Sequence, residues 1–77
     1  MRPELRQLLS RYGISDIDDA SNPRYYGFLD ALGGWFILKN DTTAGAKSYR
    51  YASGGTDYAA NWTGRAGLSY DYMSAVF

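Results

Sequence analysis

The sequence predicts a small α+β fold, a three-stranded antiparallel β-meander with short N- and C-terminal helices. Three observations predict it. Residues 25–38 (YYGFLDALGGWFIL) read as a β-hairpin turning at Gly33-Gly34. A third β-rich run, 47–52 (KSYRYA), follows a polar turn and stops at Ser53-Gly54-Gly55. Residues 3–12 carry a compact helix signature. Sequential strands on short connections pair as antiparallel neighbours, which makes the sheet a meander.

Pro3 suits the first helical position, Glu4 complements the N-terminal dipole, Arg11 falls in the last turn and Gly13 supplies the stop. Leu5, Leu8, Leu9 and Tyr12 stand at i, i+3, i+4 and i+7, one apolar stripe. So short a helix is marginal alone in water, so packing must hold it. It docks either on its own hairpin or on a neighbouring subunit, and the sequence does not choose. Residues 14–23 (ISDIDDASNP) read as a turn-forming linker, because Asp, Ser and Asn compete for backbone bonds and Pro23 forbids helix. The expected division is therefore 1–20, a docking arm of helix and acidic linker, and 21–77, a small β-rich domain. Asp16, Asp18 and Asp19 do not make a calcium loop. Counted from Asp16, positions six and twelve hold Ser21 and Gly27, where that motif needs glycine and glutamate.

Strands are expected over 24–31, 34–40 and 47–52, with NDTTAGA (40–46) as a longer loop. On the first, Tyr25, Gly27 and Leu29 share a face opposite Tyr26 and Phe28; on the second, Trp35 and Ile37 oppose Phe36 and Leu38. A half-solvated hairpin alternates apolar with polar residues. This one is apolar on both faces, so both need a cover, which points to assembly. In the third strand Tyr49 and Tyr51 oppose Ser48 and Arg50, the pattern of an edge strand blunted by Lys47 and Arg50. The tail (56–77) is predicted to form short helical turns over 57–64 and 68–75, weakened by Gly64 and Gly67. Its last residues, Val76 and Phe77, are apolar and expected to be docked.

Composition narrows the chemistry. A chain of 77 residues forms one domain at most and buries roughly 60% of its unfolded surface, a thin margin. Small domains add disulfides, metals or partners, and with no cysteine and no histidine the disulfide framework and the Cys/His zinc site are excluded. Eight basic and eight acidic side chains balance, and only Tyr49-Arg50-Tyr51 interleaves aromatic with basic residues, so nucleic acid is not the expected partner. No run approaches the roughly 20 apolar residues of a membrane span, and MRPELRQLLSRYG lacks the apolar centre of a secretory signal. No activated-nucleophile pattern is present, and Asp30, Asp41, Asp57 and Asp71 are scattered. SGG and GG lack phosphate-loop spacing, and Asn40-Asp41-Thr42 and Asn61-Trp62-Thr63 read as polar turn chemistry. The reading is a non-enzyme without cofactor or metal.

The aromatic side chains are the expected currency of contact, since Tyr and Trp bring large rigid area with a polar handle. The candidate interface is Leu5, Leu8, Leu9, Tyr12, Tyr25, Trp35, Tyr49, Tyr51, Trp62 and Phe77. A sugar platform on exposed Trp35 or Tyr51 is the competing use of the same rings.

From Arg24 onward, YYGFLDALGGWFILK, SYRYASGG and DYAANWTGRAGLSYDYMSAVF resemble small proteins of tailed bacteriophages encoded among virion and tail-fibre genes. The W-F-I-L-K strand and the Y-A-x-x-W-T-x-R-A-x-L-x-Y ending carry the resemblance. It implies a virion structural protein of the tail, baseplate or fibre, made in the host cytoplasm, whose partners are other virion proteins and copies of itself. It brings no catalytic residues, and the helix and acidic linker lie outside it. The alternatives are a carbohydrate- or receptor-binding module on a tail fibre with a surface glycan as ligand, a head decoration protein, and a host-directed regulator.

Overall fold

In the computed structural model, which describes residues 12–76, four strands form one antiparallel sheet in chain order. They are β1 (Gly13–Asp18), β2 (Arg24–Leu29), β3 (Trp35–Thr43) and β4 (Ala46–Gly54). The α+β class and the meander hold, with four strands in place of three. The added strand is β1, in the segment expected as linker. It pairs with β2 from Gly13↔Leu29 to Asp18↔Tyr25, so it belongs to the sheet although it lies on the arm side of the expected 20/21 boundary. The helix expected over 3–12 lies outside the described residues except for Tyr12, which is in no helix.

A β-bulge explains why β1 escapes a pattern search. Ile14 opposes Phe28 and Ile17 opposes Tyr26, with the register shifting between Ile14 and Asp16. Residues three apart in a regular strand face opposite ways; one extra residue, Ser15, returns both isoleucines to the same face. Asp16 and Asp18 are thereby turned to the other side, where distant residues engage them.

The β2–β3 turn is held by Asp30. Its Oδ1 accepts from the amides of Leu32 (2.9 Å) and Gly34 (2.8 Å), and its own amide donates to the Gly34 carbonyl at 2.8 Å. Gly33 takes φ 93°, a conformation that favours glycine. The β3–β4 connection is shorter than expected: the strands run to Thr43 and from Ala46, leaving Ala44 and Gly45 at φ 52° and 82°. Two positive φ values mark the tight hairpin turn whose twist matches its strands. Asn22 ties the β1–β2 loop to the end of β3, accepting from the Thr42 amide at 2.9 Å and donating to its carbonyl at 3.0 Å.

The tail supplies α1 (Tyr58–Thr63), a 3-10 turn (Arg65–Gly67) and α2 (Met73–Val76). The first matches the turn expected over 57–64; of the one expected over 68–75 only the end is helical, because the chain before Met73 runs extended to bridge Asp71 to Tyr51. It crosses one face of the sheet, called here the tail face. The core there consists of Tyr25, Trp35, Ile37 and Ala52, with Leu29, Tyr58, Trp62, Leu68 and Tyr70 packed against it. The chain then rounds the β4 edge, where Tyr51 and Asp71 exchange backbone hydrogen bonds of 2.7 and 3.0 Å. That exchange caps part of an edge that would otherwise offer free N–H and C=O groups. Among the described residues, no helix is long and apolar enough to cross a membrane.

Candidate interaction surface

Strand alternation sorts the side chains into two faces with different covers. On the tail face, β1 contributes Asp16 and Asp18, β2 Tyr25, Gly27 and Leu29, β3 Trp35, Ile37 and Lys39, and β4 Arg50, Ala52 and Gly54. Gly27 is the floor on which the tail's rings rest: a Cβ there would overlap the Tyr58 hydroxyl and lie 3.0 Å from Trp62 Cε3. Trp35 lies across Gly54, where a Cβ would come within 2.6 Å of its Cζ2, and its Nε1 donates to the Thr56 carbonyl at 2.6 Å.

Two carboxylates of β1 anchor this layer. Tyr58 Oη donates to Asp16 Oδ2 at 2.7 Å, and Arg65 donates to Asp18 Oδ2 from Nη2 at 2.8 Å and from Nε at 3.2 Å. The Arg65 guanidinium also lies 4.5 Å over the Trp62 ring and donates to the Trp62 carbonyl at 2.8 Å, while Tyr70 Oη donates to the Arg65 carbonyl at 2.8 Å. The acidic run is thus the strand-side half of a clamp on the tail.

The clamp has a pH signature. The Tyr58 hydroxyl is pushed up to about 12 from its ordinary 10, first by burial and then by its hydrogen bond to Asp16. Tyr70 is also raised, by burial first and then by Tyr25, and Tyr51 by burial first and then by Tyr49. Between the unfolded and folded values the unfolded chain has released a proton that the folded chain keeps, so stability falls as pH rises there. The stabilisation from Tyr58 is complete below pH 10 and is lost as pH climbs through about 12. The denaturation midpoint of the parent should decline over that window, and Tyr58→Phe, which has no proton to lose, should decline less. Equal slopes would show that Tyr58 is not buried against Asp16.

The far face carries Ile14 and Ile17 of β1, Tyr26 and Phe28 of β2, Phe36, Leu38 and Asn40 of β3, and Tyr49 and Tyr51 of β4. Phe36 is its centre. It stacks on Phe28 (centroids 4.5 Å, planes 13°), meets Tyr12 edge-on at 5.1 Å and lies 6.3 Å from Tyr51. Only 2% of Phe36 is exposed, yet the rim is open: Ile14 and Ile17 are each 55% exposed and Tyr49 49%. Isoleucines grouped in this way on one rim mark a surface with contacts to make.

Asn40 adds a polar anomaly. It is 7% exposed, and its Oδ1 has no hydrogen-bond partner. Burying an amide oxygen unpaired costs about 1–3 kcal/mol. Asn40→Leu, similar in size without the amide, is therefore expected to raise the unfolding free energy by about 1 kcal/mol in a denaturant titration. A loss instead would show that the amide finds a partner in solution.

The sequence-derived interface residues separate accordingly. Tyr25 and Trp35 are buried in the chain's own core, and Trp62 is half-buried against it. Trp35 is therefore no exposed sugar platform. Tyr12, Tyr49 and Tyr51 gather on the far face; Leu5, Leu8, Leu9 and Phe77 lie outside the described residues. Sequence reasoning missed Phe28, Phe36 and Leu38, although alternation already placed them together. It also missed Ile14 and Ile17, which only the bulge aligns. No family model, curated protein or solved structure matches the chain.

Proposed function

We propose that the chain is a structural component of a tailed-bacteriophage virion, part of a tail, baseplate or fibre, working through contacts with other virion proteins and copies of itself. The observation that carries this reading is the open apolar rim of the far face, Ile14, Ile17 and Tyr49, on a chain whose other sheet face is closed by its own tail. The phage-like pattern from Arg24 onward supports it. Apolar and aromatic side chains on a firm sheet supply contact area with little conformational entropy to lose.

A second reading, a carbohydrate- or receptor-binding module on a fibre, shares Tyr49 with the first and adds Tyr72. Tyr49 and Tyr72 are exposed on β4 and along its edge, with the Arg50 guanidinium 4.0 Å over the Tyr72 ring. Saccharides stack on such platforms, and a glycan-array signal abolished by Tyr49→Ala or Tyr72→Ala would favour it.

Mass spectrometry of purified particles, with heads and tails separated, tests the main reading. The chain is expected in the tail fraction. Recovery with heads would make it a decoration protein, and absence from particles would end the virion reading.

A further inference from the structure

We propose that Lys39 and Arg50, with the Tyr72 ring beside them, form a binding site for an acidic saccharide, a sugar bearing carboxylate or sulfate groups. This rests on the carbohydrate reading and deepens it by naming the class of ligand.

The sheet ladder pairs Asp18 with Tyr25, Tyr25 with Lys39 and Lys39 with Arg50, so these four residues form one row across the tail face. The Tyr51–Asp71 bridge extends the row, because antiparallel pairing there sets Arg50 opposite Tyr72. The Arg50 guanidinium accordingly lies 4.0 Å over the Tyr72 ring. Two cations thus stand side by side on neighbouring strands, their side chains starting about 5 Å apart. Like charges directly opposite on a ladder repel and destabilise. An anion seated between them removes that repulsion.

The chain does not supply that anion itself. Among the described residues neither Lys39 nor Arg50 has an ion-pairing carboxylate. The acid of their own row, Asp18, is held by Arg65 at 2.8 Å. Asp41, next along the tail face of β3, accepts from Asn22 Nδ2 and Thr43 Oγ1, each at 3.3 Å. Asp71 accepts from the Tyr72 amide at 2.7 Å, and alternation turns it away from Tyr70 and Tyr72. The two cations face rings instead: Lys39 Nζ lies 5.4 Å over Tyr70, as Arg50 lies over Tyr72. Arg50 donates one N–H of Nη1 to the Tyr49 carbonyl at 2.9 Å. A guanidinium has five such donors, and one stacked on a ring keeps its edge open to the paired oxygens of a carboxylate or sulfate.

Shape and charge select a sugar. Among the described residues no enclosed cavity accompanies the pair, and Tyr72 is 59% exposed at the β4 edge. Drug-sized ligands sit in pockets that bury most of their surface, whereas this open site meets a ligand on one side only. An exposed tyrosine ring beside two cations suits a sugar that lays one face on the ring and its acidic group between Lys39 and Arg50. Nucleic acid fits less well, since its affinity comes from many neutralised phosphates and this chain has no net charge.

The test is a nuclear magnetic resonance titration of the nitrogen-15-labelled chain, following the amides of Lys39, Arg50 and Tyr72. Tetragalacturonate and dextran sulfate are the acidic probes, dextran is the neutral one, and sodium sulfate and oligothymidylate are the anions without a saccharide. Saturable shifts are expected with at least one acidic probe and not with dextran at the same concentration. Lys39→Gln and Arg50→Gln should each weaken that binding about tenfold or more, the loss of one charge-assisted contact. Lys39→Gln also ends the like-charge opposition, so its thermal midpoint should stay level or rise while binding falls. Dextran bound as well as the acidic probes, undiminished in both variants, would keep the carbohydrate reading and overturn this site. Sodium sulfate or oligothymidylate bound more tightly than either acidic saccharide would overturn it too, as would no saturable shift with either acidic probe. A blank glycan array would remove the carbohydrate reading, and this proposal with it.

Discussion

Trp35→Ala is expected to lower the unfolding free energy by about 3–5 kcal/mol, the usual cost of removing a large buried aromatic. Trp35 is 4% exposed at the junction of β3, β4 and the tail, in a core of few members. The change deletes the ring lying across Gly54 and 6.4 Å from Tyr58, and frees the Thr56 carbonyl that Nε1 caps at 2.6 Å. At average per-residue stability a chain of this length has roughly 4–12 kcal/mol in total, so the variant sits close to the unfolding threshold. Trp35→Phe separates the two effects: it keeps most of the packing, loses the bond, and should cost less than half as much. A denaturant midpoint unchanged by Trp35→Ala would mean that the tail does not pack on the sheet.

The second large effect is expected at Gly27, where a side chain is added and not removed. Gly27→Val should cost about 3 kcal/mol, the upper end for overpacking, because the site has no slack. Tyr58 could swing away from the new methyls only by giving up its 2.7 Å bond to Asp16 and its stack on Trp62, with centroids 6.2 Å apart. The test is a double-mutant cycle with Tyr58→Ala. Removing the ring relieves the overlap, so the double variant should be more stable than the sum of the singles predicts. Additive losses would place Tyr58 elsewhere.

These two sites also show how far the residues alone carry the fold. The β2–β3 hairpin was legible, because two apolar runs, Tyr25 to Leu29 and Trp35 to Leu38, flank the turn signal Gly33-Gly34, and the period of two sorts each run into its faces. The edge position of β4 was legible from Tyr49 and Tyr51 opposite Ser48 and Arg50. β1 was not. Its aspartates look like turn formers until Tyr58 and Arg65, 42 and 47 residues away, are brought to them, and its isoleucines look unpaired until the bulge aligns them. The β3–β4 turn was read too long because Ala44 adopts a positive φ, which alanine seldom signals.

The candidate surface was half legible for a related reason. Alternation shows that two faces need cover but not which face the tail takes. Tyr25 and Trp35 therefore read as interface until the tail closes over them, whereas Tyr49 and Tyr51 fall on the other side. The stretch with the greatest aromatic weight became the core, and the two isoleucines of the open rim came from the segment that looked most solvated.

The central claim is that this rim makes the contacts by which the chain is used. Ile14→Thr, Ile17→Thr and Tyr49→Thr together remove its apolar surface while keeping β-branched strand formers at three exposed positions, so the thermal midpoint should move little. The deciding measurement is the amount of this triple variant found in purified particles when it replaces the parent chain. The account predicts a folded variant that is lost from the particles. Incorporation at the parent's level would contradict it.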